Sequence, residues 1–195
     1  MEPNVRHVVL FAVEQVDGKP NGKTYLQKLC YFVQRLRGWP LGFRAHFYGP
    51  YSDQVAAELS FLTNAGLLNE VRRGSGVAGI GGWEIARFDY SLTDQGRKAA
   101  EQLAQRRAAG VDEIRAAIRQ VLDAGEQNYI DLSFAAKTDW ILQAESGPMT
   151  LEGVTRAATR FNWNVTGTDV GRAADFLSRL GLVDVRRGAT EGGRQ

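Results

Sequence analysis

The chain has 195 residues, 44% hydrophobic, 24% charged and 10% aromatic, with a mean hydropathy of −0.29, a globular balance that excludes wholesale disorder. Its single cysteine, Cys30, excludes an internal disulfide framework and any multi-thiolate zinc site. The net charge of +2, from 24 basic and 22 acidic residues, is too small to argue for nucleic acid by bulk attraction.

No run approaches the ~18 consecutive apolar residues of a membrane span. Met1-Glu2-Pro3-Asn4 opens without the basic and apolar regions of a secretory signal. The expectation is a cytoplasmic protein without membrane contact. Val5, Val8, Val9, Ala12, Val13 and Val16 follow the spacing of an amphipathic helix, which the Asp17–Gly22 turn residues stop. A second helix carries Leu26, Leu29, Cys30, Val33 and Leu36 on one face and ends at Gly38. Phe43, Ala45 and Phe47 alternate with Arg44, His46 and Tyr48, the period of a half-buried strand, which Gly49-Pro50 closes. Ser52 is placed to cap a third helix with Val55, Leu59 and Leu62 as its stripe and Gly66 at its end. Leu67–Arg73 and Trp83–Leu92 read as strands around the glycine-rich tip 74–82.

Helix, helix, short strand, helix and hairpin is the element order of a winged helix. The rest reads as helical. Thr93 or Ser91 caps a helix to about Ala109, and Val111 to Leu122 form another stripe. Further helices run from about Ile130 to Ala144, from Thr150 to about Phe161, and from a Thr168 or Asp169 cap to Leu180. Leu182–Arg187 reads as a last strand. The fold class is α+β and mainly helical: a winged-helix-like domain over 1–108, then a helical C-terminal region over 109–195. Residues 61–74 and 176–188 share a Phe-Leu…Gly-Leu core and an Arg-Arg-Gly end, which suggests a second, shortened winged-helix-like unit.

Gly74-Ser75-Gly76-Val77-Ala78-Gly79 matches a dinucleotide fingerprint in letters only, because a strand rather than a helix is expected to follow it. Cys30 falls on an apolar helix face, and His7 and His46 share no motif. No metal-ligand spacing occurs, so neither catalysis, a metal nor a cofactor is expected. For nucleic acid, the third helix offers Ser52, Gln54, Ser60 and Asn64 but also Asp53 and Glu58, and no Lys or Arg. The basic candidates lie elsewhere: Lys23 and Lys28 on the second helix, Arg72, Arg73 and Arg87 beside the wing, then Arg172, Arg179, Arg186 and Arg187.

The stretch Lys23-Thr24-Tyr25-Leu26-Gln27-Lys28-Leu29-Cys30-Tyr31-Phe32, followed by Phe47-Tyr48-Gly49-Pro50-Tyr51-Ser52, resembles the YwgA-like group of uncharacterised prokaryotic proteins. More distantly it is similar to the phage-associated Panacea domain of SocA-type antitoxins. The likeness covers roughly residues 5 to 100. It implies no enzymatic activity; the antitoxin likeness implies a protein-binding module acting on a toxin. Tyr48 and Tyr51 read either as core, the favoured assignment, or as an exposed aromatic anchor for a partner. The leading functional expectation is a DNA-binding regulator, with a protein-binding adaptor or antitoxin as the alternative; self-association is left open.

Overall fold

The computed structural model describes residues 4–16, 18–19, 21–73, 87–125, 128–145 and 147–185. Most helices start where a side chain takes up N–H groups that the first turn leaves unpaired. Asn4 caps α1 (Val5–Gln15), Ser52 caps α3 (Asp53–Asn64), Thr93 caps α4 (Asp94–Gln105), Asn128 caps α6 (Tyr129–Ala144) and Thr150 caps α7 (Leu151–Ala158). Two others, α2 (Lys23–Arg37) and α5 (Val111–Asp123), open on glycines. The last, α8 (Gly167–Arg179), is capped by Thr166 rather than by Thr168 or Asp169. Asp169 is instead the third residue of a capping box, its carboxylate returning to the Thr166 N–H.

Two short antiparallel sheets complete the α+β fold. β1 (Phe43–Arg44) pairs with β2 (Tyr51–Ser52), and β3 (Leu68–Arg73) pairs with β4 (Arg87–Leu92). The expected strand over Phe43–Tyr48 is therefore cut to two residues. The Gly49 N–H donates to the His46 carbonyl at 2.9 Å, so the chain reverses there and the alternation beyond Arg44 loses its meaning. The glycine-rich tip 74–82 and the residues 83–86 lie outside the described residues. Leu182 to Asp184 and Val185 form no strand, and 186–187 lie outside the described residues.

The two similar segments do share a helix end. Gly66 and Gly181 both sit at φ +71°, and Leu67 and Leu182 donate to the Leu62 and Leu177 carbonyls at 2.9 Å. This is the same Schellman geometry twice, built on the Gly-Leu step.

Helix α2 lies at the centre of the packing. Every residue from Tyr25 to Val33 is buried, and α1, α3, α5 and α6 all pack against it. The main hydrophobic cluster joins α1, α2 and α3 to α5, α6 and α8, with Phe32 meeting Phe176 edge-on at 5.3 Å between ring centres. It thus draws from both sides of residue 108. A smaller cluster gathers Ile141, Val154, Ala158, Trp163, Val165 and Val170. At the start of α2, buried Asn21 grips β4: its amide donates to the Tyr90 carbonyl at 2.6 Å and accepts the Tyr90 N–H at 2.8 Å.

Gly96 is required by a close approach rather than by its backbone angles. A Cβ there would stand 2.1 Å from the Leu67 carbonyl oxygen. Gly96→Ala must push α4 off the end of β3, and we expect a loss of about 1–3 kcal/mol in urea unfolding. An unchanged midpoint would contradict this packing.

Candidate interaction site at the Phe47–Ser52 turn

A helix buried on all sides cannot leave polar side chains unmet. Gln27, Lys28, Tyr31 and Arg35 of α2 each find a partner elsewhere in the chain, whereas the buried Arg37 Nε near its end has no hydrogen-bond partner. Gln27 clamps Ser52 as a strand would: its Nε2 donates to the Ser52 carbonyl and its Oε1 accepts the Ser52 N–H, both at 2.9 Å. The Ser52 hydroxyl donates to the Leu41 carbonyl and accepts the Val55 N–H. Lys28, only 1% exposed, donates its Nζ to the Pro50 carbonyl at 2.6 Å. One turn on, the Tyr31 hydroxyl donates to Asp139 Oδ2 at 2.6 Å, and Arg35 donates Nε to the same oxygen at 2.6 Å. Asp139 is fully buried. Burial opposes the charge of Arg35, but the hydrogen bond and charge of Asp139, with a further contribution from Tyr31, together outweigh it and hold its pKa above the usual range. Burial, then the Asp139 carboxylate, pushes the Tyr31 hydroxyl well up.

These contacts fasten the loop from β1 to β2 to the body of the protein. A second fastening comes from the C-terminal part, where Trp163 donates its indole N–H to the His46 carbonyl at 2.7 Å. Gly49, at φ +95°, completes the turn, and a Cβ there would stand 3.1 Å from Lys137 Cγ and 3.6 Å from Lys28 Cε. Phe47 and Tyr48 are the two corner residues of the turn. They are 64% and 54% exposed and meet edge-on at 5.0 Å. Tyr48 is thus an exposed aromatic and not a core residue. Tyr51 is half-buried and lies against the His46 ring at 5.1 Å.

The lysine beneath the turn is electrostatically unusual. Burial, and then the neighbouring Lys137 charge, bring the Lys28 pKa down to about 7. Burial likewise lowers Lys137, whose ammonium lies over the rings of Phe134 and Trp163 at 5.5 and 5.9 Å. Cys30 is fully buried and its thiol is pushed up to about 12, an inert core residue. Among the described residues no group of three His, Cys, Asp or Glu side chains is placed to hold a metal, and no helix is long and apolar enough to cross a membrane.

The described basic residues expected to meet nucleic acid lie on α2, on β3 and β4, and on α8. Lys28 points into the interior, where a phosphate cannot reach it; the surface position expected of a basic residue is removed by the packing of α6 and the turn. Lys23 is exposed at the start of α2, and Arg72 is exposed on β3. Arg73 and Arg87 stand opposite one another in the β3–β4 register. On α8, Arg172 pairs with Asp169 at 2.9 Å and reaches Asp131 at 3.6 Å, while Arg179 donates to the Ala124 carbonyl. Arg186 and Arg187 lie outside the described residues. On α3, Asp53 pairs with Arg44 and Glu58 with Arg6. Asp139, Lys137, Arg35 and Trp163 escaped the sequence reading because their partners lie far along the chain.

A stretch of 92 residues is 33% identical to the uncharacterised protein YwgA of Bacillus subtilis (strain 168). It covers 46% of this chain and 51% of YwgA, so the likeness spans about half of that relative's length. No family model matches the chain.

Two measurements check the site. Gln27→Ala strands the buried N–H and carbonyl of Ser52 and should cost about 2–4 kcal/mol in denaturant unfolding; a cost near zero would contradict the clamp. Lys28 binds its proton more weakly folded than unfolded, so its contribution to stability rises with pH between about 7 and the ordinary lysine value of 10.5 and is constant below that window. The stability difference between the natural chain and Lys28→Met should climb by at most about 1.4 kcal/mol per pH unit across it. Parallel pH profiles would show that Lys28 keeps an ordinary pKa.

Proposed function

We propose that this chain is a non-enzymatic protein-binding module of the prokaryotic cytoplasm, and that its contact is made by Phe47 and Tyr48. The observation that carries this reading is their exposure at the corner of a turn held on three sides. Aromatic side chains bring a large apolar area at low entropic cost and are enriched among the residues that dominate interfaces. The fastening of the turn by Lys28, Gln27 and Trp163 removes the ordering cost that a mobile loop would meet on binding. The first half, winged-helix-like by its sequence, serves in this reading as a scaffold. In this reading the likeness to Panacea-type antitoxins is one of use: a winged-helix scaffold that grips a protein.

A regulator that binds duplex DNA is the second reading, and one observation favours it. Arg73 and Arg87 are register partners in β3 and β4 and Arg72 precedes Arg73, which gathers three basic positions at one end of the hairpin. Against it stand the interior position of Lys28 and the ion pairs of Arg172.

The exposed pair gives the test. Phe47→Ser/Tyr48→Ser should leave the melting temperature unchanged while removing proteins that the tagged natural chain recovers from its own cells, at about 2 kcal/mol or more per anchor ring. Recovery of the same proteins by the variant would refute this reading. A mobility shift with duplex DNA at low salt, weakened by Arg72→Ala/Arg73→Ala/Arg87→Ala, would support the second reading.

A further inference from the structure

The surroundings of the exposed aromatic pair say what chemistry a partner must bring. Lys137 projects from α6 against Gly49, the residue that follows Phe47 and Tyr48. Its ammonium rests on two aromatic rings and is within ion-pair distance of no carboxylate among the described residues. Asp169 is the acid whose field it feels, but that carboxylate already takes the Thr166 N–H and hydroxyl and the Arg172 guanidinium. Behind Lys137 lies the buried Lys28, whose own acceptor is a neutral carbonyl. Two lysines therefore meet beneath the turn, in surroundings that solvate charge poorly, and the acid that acts on Lys137 is already committed elsewhere. Close to the tip, the ion pair of Arg44 with Asp53 adds no net charge.

We propose that the partner of Phe47 and Tyr48 is an acidic peptide segment, in which an apolar side chain covers the two rings and an adjacent carboxylate pairs with Lys137. The inference rests on the protein-binding reading above and adds the sign of the partner's charge. A carboxylate there relieves the repulsion between Lys137 and Lys28 and gains a charge-assisted hydrogen bond in a partly desolvated place. A basic segment would add a third positive charge to the pair and be rejected.

A random-peptide library displayed on phage, panned against the full chain, tests both statements separately. Selected peptides should carry Glu or Asp beside an aromatic or aliphatic residue and bind less as salt is raised. Their affinity should fall roughly tenfold for Lys137→Gln, an ion-pair loss of about 1.4 kcal/mol, and recover for Lys137→Arg. Exchanging the peptide's Glu for Gln reads the same contact without altering the protein, so the test survives a Lys137→Gln chain that fails to fold. Peptides that need Phe47 and Tyr48 but show no acidic preference would overturn this inference and leave the protein-binding reading standing. Peptides indifferent to Phe47→Ser/Tyr48→Ser would overturn both.

Discussion

The structure depends on satisfying the polar side chains of a helix whose central stretch, Tyr25 to Val33, has no solvent side. Once α2 is buried from Tyr25 to Val33, Gln27, Lys28 and Tyr31 must find partners in the protein or destabilise it by more than one kcal/mol each. They find them in three places: Ser52, the Pro50 carbonyl and Asp139. The shape of the β1–β2 loop follows from the first two. A segment tied by the backbone at positions 50 and 52 and by Trp163 at position 46 has a single short stretch left to turn, and that stretch is Phe47 and Tyr48.

The Tyr31–Asp139–Arg35 group does for the two halves of the chain what Gln27 does for the turn. Asp139 stands 108 residues from Tyr31 and receives its hydroxyl as well as the Arg35 guanidinium. A buried carboxylate left without both would be far more costly than the pair is favourable. The contact therefore specifies where α6 sits on α2 more than it adds stability. Because α6 also carries Lys137, the same contact sets the charge beside the turn.

Local chemistry was legible in the sequence and long-range chemistry was not. Ser52, Thr93 and Thr150 announce their helices because capping is decided within three residues, and the Gly-Leu repeat announces two identical helix ends for the same reason. The Phe43–Tyr48 alternation misleads because a period of two carries no mark of where a strand stops being paired. Gly49-Pro50 marks the reversal, but the hydrogen bond that makes it begins at His46. Residues 182–185 form no strand because no described segment pairs with them, since a strand is a property of two segments. Lys28 reads as a surface charge in the sequence because its residue type is almost never fully buried. What buries it is α6 and the turn, more than a hundred and about twenty residues away respectively, and helical spacing has no access to either.

The exposure of Phe47 and Tyr48 is not what stability alone would select. Burying a large apolar side chain is worth roughly 1.5–3 kcal/mol, and a strand continued by three residues would have turned one of the two rings inward. Single exposed hydrophobics are common on protein surfaces and need no explanation. Two rings in contact, at the corners of a turn held by a buried glutamine, a buried lysine and a tryptophan, are a different case. The fastening uses polar groups whose burial is itself costly, and what it fixes in space is an apolar surface left in water. Such an arrangement gives up stability at both ends, a loss that the proposed acidic partner would recover by covering the rings and bringing a negative charge to Lys137.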